Sequence, residues 1–443
     1  MQRLIRNRFL AFLTNLVLFS LSAASARADE VTDWTEIMLK SFQNAGTTPQ
    51  VYAHHAALVS ASIFDAVNGV KGPYAHVLVT PGAPKGASAR AAAVEAAYTM
   101  LLHLFPAQAS PLGAARTASL NVILDVGGGE NHKQDVAGSV AEGIAWGGYV
   151  AEAIWNIRHA DGSWTPAAPF TGGNAIGQWR PIAPAVAGAT PELATTQGWF
   201  LSSSSQFRPN GPYPLTSPQY AADYNETKTV GASNGTRTSD QTLAALFWQN
   251  AAASYFWNHV ALELVAQRDM NLVDHARLFA TLNIAIADAV VAVWDAKYYY
   301  AANGAGWRPI TAIQLGDLDG NPDTIGNPSW TPLITPAPNH PEYPSSHSGV
   351  SSAGATILAA YFGDNTSFTV DSYNPAQAGV IRSFSSFHEA LDEIANARIW
   401  GGMHFRKSCD DGVVLGTAVA NNVLQNGMLT GHGNGDFFDG EQE

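Results

Sequence analysis

The sequence predicts a mainly α-helical protein of two helical layers or bundles joined by long loops, with little or no β-structure. Its 443 residues are enough for one large domain or two ordinary ones with a substantial core. Apolar residues make up 46% of the chain and charged residues only 13%, which suits closely packed helices. Most segments repeat apolar residues at helical spacing, whereas the alternation typical of strands is sparse.

The first three helices have recognisable ends. DWTEIMLKSF is predicted to begin with Asp33 as N-cap, with Glu36 three residues later. QVYAHHAALVSASIFDAVNGV is predicted to end at Asn68-Gly69, and SARAAAVEAAYTMLLHLF at Pro106. The remaining helices are predicted in PLGAARTASLNVILDVG, in QDVAGSVAEGIAWGGYVAEAIWNIRH, from Gln241 onward, and at about 274–300, 346–361, 383–400 and 409–426.

Residues 160–235 differ from the rest because they are rich in Pro, Gly, Ser and Thr and have no sustained period. Such a length is too great for a simple turn, so it is either a functional loop or a wrapping segment. It closes an N-terminal helical region, 29–240, and is followed by a C-terminal helical region, 241–443.

Residues 1–28 have the pattern of a secretory signal. MQRLIRNR is a basic start, FLAFLTNLVLFSLSA is an apolar core, and Ala26-Arg27-Ala28 fits a cleavage site. The alternative is an uncleaved anchor, but the apolar run is short for a full span. We expect an exported protein, periplasmic or secreted, without a stable membrane span after cleavage. The most apolar later stretch, LFATLNIAIADAVVAVW, is predicted to be a core helix.

Charge and cysteine content exclude several classes of partner and cofactor. The net charge of −13 argues against nucleic acid and anionic membrane surfaces as general partners. Any anion site must therefore be a local concentration of Arg and Lys. Cys409 is the single cysteine, so an internal disulfide, a cysteine-rich zinc site and a CxxCH haem attachment are excluded.

The histidines of the early helices and Asp65 are predicted to be structural. Asp65, in FDAVN, is expected to accept a buried hydrogen bond or to stabilise a helix end. The five histidines in question are His54, His55, His103, His132 and His159.

The segment HPEYPSSHS, from His340 to Ser348, precedes the small-residue helix GVSSAGATILAA. Because Pro344 cannot lie inside a helix, Ser345 or Ser346 is predicted to be the N-cap, with His347 in or near the first turn. A helix N-terminus offers unpaired N–H groups to an anion, and His347 would be placed to exchange a proton with it. A plain cap with a surface histidine is the alternative.

Two further segments supply cations. In ANARIWGGMHF, Gly401-Gly402 is predicted to break a helix so that Arg398 and His404 turn toward one point. In WDAKYYYAANGAGWRPITAI, Lys297 lies near a helix end and Arg308-Pro309 follows a flexible turn. Three cations beside a Ser/His cap in an acidic chain indicate an oxyanion site, in which Arg provides a planar fork and Lys a point charge.

This ordered set resembles the vanadium-dependent haloperoxidases and the related type 2 phosphatidic acid phosphatases and bacterial acid phosphatases. The family pattern is Lys, spacer, Arg-Pro; then Pro-Ser-Gly-His; then Arg, five residues, His. Here the three blocks correspond to Lys297 with Arg308-Pro309, to Pro344-Ser345-Ser346-His347, and to Arg398 with His404. FDAVN, WDAKYYY, WRPITAI, HPEYPSSHS and GGMHFR also resemble bacterial haloperoxidase homologues.

The resemblance implies two helical bundles in one domain, vanadate rather than haem as cofactor, and hydrogen peroxide, halide and a small organic acceptor as partners. Bromide or iodide would be favoured, because His340 occupies a position where chloroperoxidases of the family have Phe and algal bromoperoxidases have His. The alternative is a structural histidine that caps the loop before Pro341. His347 would be the acid–base residue. The oxygens of vanadate would be bound by Lys297, Arg308, Arg398, Ser345 and the Ser346 N–H, and the metal by His404.

Two positions depart from the family pattern. The spacer between Lys297 and Arg308 has ten residues instead of the usual six, so the extra residues either loop out or displace Lys297. Ser346 replaces the glycine before His347, and its backbone donor survives if Ser adopts the required conformation.

Other functions stay open on the sequence. An exported acid phosphatase would use His404 as nucleophile and His347 as the acid that protonates the leaving group. A non-catalytic oxyanion-binding protein would need the cations but no proton shuttle. Helical proteins of this kind often pair, so a homodimer is also open.

Overall fold

The computed structural model describes residues 29–124, 135–249, 253–372 and 377–430. The predicted signal segment, 1–28, and His132 lie outside these residues. The described elements, in chain order, are α1 Glu30–Ala45, α2 Pro49–Lys71, α3 Ala89–Leu104, α4 Ala109–Leu124, α5 Ala137–Arg158, α6 Pro218–Val230, α7 Ser239–Phe247, α8 Ala253–Val265, α9 Leu272–Ala302, α10 Pro309–Gln314, α11 Ser346–Phe362, β1 Phe368–Asp371, β2 Ile381–Phe384, α12 Phe387–Trp400 and α13 Arg406–Asn426.

The helices form two groups around a shared central helix, which confirms the mainly α prediction. Helices α2, α3 and α5 pack against one another, and α11 packs against α12 and α13. Helix α9 contacts α2 on one side and α11 and α13 on the other. One apolar core extends from α1 to α13. Because this core is shared, it does not test the predicted division of the chain into two regions at residue 240, which stays a prediction.

Helix α9 is buried along almost its whole length, as expected for a core helix. Within the described ranges it alone is long and apolar enough to cross a membrane, and that apolar stretch is entirely covered by protein. Its C-terminal turns carry Lys297 into the centre of the second helical group.

Two predicted helix ends in the N-terminal region were wrong. The N-cap of α1 is Asp29, not Asp33: the Asp29 carboxylate accepts from the backbone N–H groups of Val31 and Thr32. Asp33 lies inside the first turn, where the partial positive charge of the helix N-terminus favours a carboxylate. Helix α2 runs past Asn68-Gly69 to Lys71. The helix ends at the C-cap Gly72, which has φ 74°, and the Asn68 side chain bonds the backbone of Tyr74 beyond that end.

The region 160–235 contains regular structure that the composition hid. Helix α6, 13 residues long, begins after the N-cap Ser217, with Pro218 in its first turn. The rest of the segment wraps the protein: Trp179 donates its backbone N–H to Ala305, and Trp307 donates to Gly177. These contacts support the interpretation of a wrapping segment.

A short antiparallel hairpin replaces the predicted start of the helix at Ser383. Strand β1 pairs with β2 in a register that places Phe368 opposite Phe384. Helix α12 begins only at Phe387, after the N-cap Ser386, whose hydroxyl accepts from the Glu389 N–H.

The early polar residues have the packing contacts expected of structural groups. The Asp65 carboxylate accepts from the backbone N–H groups of Val77, Leu78 and Val79. His54 lies 3.0 Å from the Ser163 hydroxyl, and His55 stacks on Trp164. Two more of the five histidines predicted to be structural, His103 and His159, pack against Trp155.

Candidate active site

Close packing of α13 against the start of α11 assembles the site. A Cβ atom added at Gly416 would lie 1.8 Å from the Gly349 carbonyl oxygen, so only glycine permits this approach. Small residues after His347 thus let α11 sit directly against α13. This packing explains why the run GVSSAGATILAA follows the histidine-containing segment, and it brings His404, just before α13, beside the N-terminus of α11.

Ser345 is the N-cap of α11, which confirms one of the two predicted caps. Its hydroxyl oxygen accepts from the N–H and the hydroxyl of Ser348, so its own proton remains able to donate. Ser346 opens the helix with an ordinary negative φ, so the replacement of the family glycine causes no backbone strain. The N–H groups of Ser346 and His347 have no intrahelical acceptor, as at any helix start.

The break between α12 and α13 lies at Gly401-Gly402, as predicted. Gly402 has φ 74°, in the left-handed region, and a Cβ there would lie 2.6 Å from the Gly231 carbonyl oxygen. Arg398 lies in the last turn of α12, and both it and His404 are 1% exposed. The glycine turn therefore allows the two side chains to share one buried region.

The guanidinium of Arg308 contacts two histidines, His404 through one terminal nitrogen and His340 through the other. Its Nη1 lies 3.3 Å from His404 Nε2, and its Nη2 lies 3.0 Å from His340 Nδ1. Arg can only donate, so both imidazole nitrogens are acceptors in these contacts. The neutral tautomer of His404 is therefore Nδ1–H. At His340 Nδ1 the Pro341 carbonyl also lies 3.2 Å away, but the Arg308 contact is shorter and favours a proton on Nε2.

Glu342 contacts the other nitrogen of His404, and the sequence analysis gave this residue no role. Its Oε1 accepts from His404 Nδ1 at 2.8 Å and from the Phe405 N–H at 3.1 Å. Burial raises the pKa of Glu342 to about 7, against the opposing effect of Arg308 and Lys297. A lone carboxylate among the prolines, serines and histidines of HPEYPSSHS was the available signal.

Arg398 is a buried cation whose Nε and Nη1 have no hydrogen-bond partner among the described residues. Burial lowers the pKa of its guanidinium to about 10. Buried charges of this kind are costly unless something compensates them. Arg398 is thus the cation of the site that is available to an anionic ligand.

Lys297 is fully buried, but its ammonium group is already satisfied. It donates to three backbone carbonyls of the HPEYPSSHS segment: Pro341 at 2.8 Å, Glu342 at 3.0 Å and Pro344 at 2.5 Å. An ammonium group has three donors, so a direct contact with an anion requires one of these bonds to be exchanged.

The ten-residue spacer after Lys297 extends α9 and then forms a turn. Helix α9 continues to Ala302, and Gly304 and Gly306 take φ values of 87° and 85°. Both ends remain buried, with Lys297 at 0% and Arg308 at 1% exposure. The structure thus agrees with the alternative in which the extra residues loop out.

A cavity of about 310 Å³ gives access to the site. Partly exposed His340, Ser346 and His347 line it from the C-terminal region, and Thr48 and Gln50 line it from the start of α2. The indole of Trp294 covers His340, with ring centroids 5.2 Å apart. Small molecules in this cavity would meet His347 and His340 together.

Burial and the surrounding cations keep the site histidines neutral. Burial, followed by the charges of Arg398, Lys297 and Arg308, holds the pKa of His347 well below its usual range. Burial and the same three cations lower the pKa of His404. Neutral imidazoles can accept a proton or coordinate a metal, so both predicted roles are chemically open.

Comparisons with known proteins point to one family. The family model of the VCPO second helical-bundle domain matches residues 277–430. Vanadium chloroperoxidase from Curvularia inaequalis is 25% identical over 283 residues, which cover 49% of this chain and 45% of that protein. The match thus spans less than half the length of this relative.

Solved structures share the fold over most of the chain. The first bacterial vanadium-dependent iodoperoxidase is 24% identical, with a TM-score of 0.76, and the alignment covers 91% of this chain and 98% of that chain. An apo-type bacterial vanadium-dependent chloroperoxidase is 18% identical, with a TM-score of 0.67 and coverage of 85% and 93%.

Proposed function

We propose that this chain is a vanadate-dependent peroxidase of the vanadium-dependent haloperoxidase family, which oxidises halide with hydrogen peroxide to a hypohalous acid equivalent. The observation that carries the proposal is a buried imidazole, His404, whose Nε2 accepts from Arg308. It shares the buried region with Arg398, whose Nε and Nη1 have no hydrogen-bond partner in the part of the chain that the structure describes. A metal-containing oxyanion needs both features: a nitrogen ligand for the metal and donors for its oxygens.

The donor set fits vanadate. Arg398 offers two unpaired N–H-bearing nitrogens, Ser345 a hydroxyl proton, and Ser346 a backbone N–H at the start of α11. Arg308 would turn part of its fork from His404 to an oxygen, and Lys297 would join after exchanging a carbonyl. His404 Nε2 would then coordinate the metal. Bound vanadate would supply a Lewis acid that activates hydrogen peroxide toward halide.

His347 would accept a proton from hydrogen peroxide. It lies at the start of α11 and lines the access cavity, so its imidazole is within the path of an incoming small molecule. With its pKa held below the usual range, the ring is neutral at pH 7 and able to accept a proton.

Bromide or iodide is the proposed halide. The contact of His340 Nδ1 with the donor Arg308 Nη2, at 3.0 Å, is shorter than its contact with the Pro341 carbonyl, at 3.2 Å, and it supports a neutral His340 that carries its proton on Nε2 as a donor. Such a donor in the access cavity would hydrogen-bond halide, as phenylalanine cannot. Relative oxidation rates of iodide, bromide and chloride test this proposal, and His340→Phe should change their ratio; an unchanged ratio would exclude His340 from halide selection.

Export and a small organic acceptor complete the proposal. The signal pattern of residues 1–28 supports export, and N-terminal sequencing of the protein recovered outside the cytoplasm should find Asp29 first. The access cavity of about 310 Å³ is of a size that suits a small acceptor.

The test of the proposed function is a reconstitution experiment. Purified protein, stripped of metal and free of phosphate, is supplied with peroxide and bromide, and bromination of a diketone dye is followed before and after orthovanadate is added. We expect activity only with vanadate, and none in His404→Ala. Activity without vanadate, or retained activity in His404→Ala, would contradict the proposal.

A further inference from the structure

Glu342 joins three parts of the site that are distant in sequence. Its carboxylate accepts from His404 Nδ1 and from the Phe405 N–H, at 2.8 and 3.1 Å. Its carbonyl accepts from Lys297 Nζ at 3.0 Å, and its own N–H donates to the Gly306 carbonyl at 2.9 Å. The residue is only 3% exposed. Its backbone is therefore held on both sides, which leaves the carboxylate little freedom to leave His404.

The contacts of His404 assign one tautomer from two directions. Glu342 Oε1 already accepts from the Phe405 N–H, so it acts as an acceptor toward His404 Nδ1 as well. At the opposite nitrogen, Arg308 Nη1 can only donate. Both neighbours require Nδ1–H and a lone pair on Nε2. The Ser408 hydroxyl also approaches Nδ1, but at 3.3 Å it is the more distant contact.

We propose that Glu342 is the positioning residue of His404: it fixes the tautomer and ring orientation in which Nε2 presents its lone pair to the oxyanion. This role rests on the proposed function, since it concerns the same site. Carboxylates that hold a metal-binding imidazole in this way raise its basicity, and their loss typically lowers metal affinity by about 10–100-fold.

The turn that makes this chain's spacer longer supports Glu342. Gly306, inside the ten-residue spacer, supplies the carbonyl that accepts the Glu342 N–H. The turn is itself anchored by two backbone hydrogen bonds, from Trp179 N–H to Ala305 and from Trp307 N–H to Gly177. The spacer residues therefore form a turn after the helix and also hold the backbone of Glu342, whose carboxylate contacts His404.

The experiment compares Glu342→Ala and Glu342→Gln with a matched control, Asp29→Ala. Asp29 forms a second carboxylate–imidazole pair, with Oδ2 2.7 Å from Nδ1 of the buried His275. Imidazole ¹⁵N NMR of the metal-free protein reports each tautomer, with His404 assigned from the spectrum of His404→Gln. Orthovanadate affinity is measured separately by equilibrium dialysis.

We expect wild-type His404 to be the Nδ1–H tautomer. Glu342→Ala should lose this preference and bind vanadate about 10–100-fold more weakly. Glu342→Gln, whose amide oxygen still accepts but carries no charge, should keep the tautomer and lose part of the vanadate affinity. If the alanine variant does not fold, this affinity decides the question, because it would equal that of the wild type if Glu342 had no positioning role. Among the imidazole tautomers, Asp29→Ala should alter that of His275, and it should leave vanadate affinity unchanged.

Two results would overturn the inference: an unchanged His404 tautomer in Glu342→Ala, or equal loss of affinity in Asp29→Ala. Absence of vanadate binding by the wild-type protein would instead overturn the proposed function. The tautomer measurement needs no vanadate, so the two failures are distinguishable.

Discussion

Replacing Arg398 by methionine should stabilise the metal-free protein and at the same time remove its affinity for oxyanions. The side chain is 1% exposed, and Nε and Nη1 have no partner among the residues described. Burial lowers the pKa of the guanidinium from its ordinary value to about 10. At pH 7 the group is charged in the folded and the unfolded chain, so this lowering measures a cost to the folded state.

The cost follows from the pKa change. A difference of this size corresponds to about 3 kcal/mol, since each pKa unit is about 1.4 kcal/mol. Methionine fills similar space with an unbranched apolar side chain and carries no charge. Allowing for imperfect repacking, we expect Arg398→Met to raise the free energy of unfolding by about 1–3 kcal/mol.

Urea unfolding in phosphate-free buffer, followed by circular dichroism, measures this change. Arg158→Met is the matched control, because Arg158 is also buried but lies 2.9 Å from Asp161 and donates to the Gln197 carbonyl. Its removal leaves a buried carboxylate unpaired and should cost about 3–5 kcal/mol. The two substitutions thus have opposite predicted signs.

Unfolding in the presence of orthovanadate then compares the oxyanion affinity of the wild-type protein with that of Arg398→Met. At 100 times its dissociation constant, a ligand that binds only the folded state stabilises it by about 2.7 kcal/mol. The wild-type protein should gain this amount and Arg398→Met should gain nothing. Destabilisation of the metal-free protein by Arg398→Met, similar to that by Arg158→Met, would refute the reasoning, because it would mean that Arg398 is compensated without an anion.

Three further predictions concern other buried groups. Lys297→Met should lower the free energy of unfolding by at least about 3 kcal/mol, since three buried carbonyls lose their donor; a urea midpoint unchanged from wild type would contradict this. His347→Ala should leave vanadate affinity within a few-fold but reduce the bromide oxidation rate by about 10²–10⁴, as measured by dialysis and steady-state kinetics, and parallel losses would refute a proton-transfer role. Stability should fall as the pH drops below about 6.5, because burial lowers the pKa of His54 and of His55 to about 3 and only the unfolded chain takes up their protons; His55→Phe should reduce this dependence by about 1.4 kcal/mol per pH unit, and an identical pH profile would exclude His55.

Local sequence signals were sufficient where one residue type has one structural use. Pro344 excluded a helix before Ser345, and the paired glycines at Gly401-Gly402 marked the end of α12. These signals, with the order of the cationic blocks, indicated the residues of the candidate oxyanion site. Long apolar periodicity identified α9 as a core helix for the same reason: its pattern has few alternatives.

The missed features depend on contacts between distant segments. The lone carboxylate of Glu342 in HPEYPSSHS does not by itself indicate a role, because the role arises only when the turn before α13 places His404 Nδ1 against it, 62 residues later in the chain. The three carbonyl partners of Lys297 are likewise set by the path of a segment more than 40 residues away. Helix α6 was overlooked because a polar surface helix inside a Pro- and Gly-rich stretch has little apolar periodicity.

The most direct test of the central claim is a comparison of two activities in one metal-free preparation as orthovanadate is titrated. The account predicts that bromide oxidation rises with vanadate and saturates at one vanadate per chain, while hydrolysis of a chromogenic phosphate ester contributes no comparable rate. Ester hydrolysis that vanadate inhibits, without bromide oxidation at any vanadate concentration, would contradict the account and identify a phosphatase.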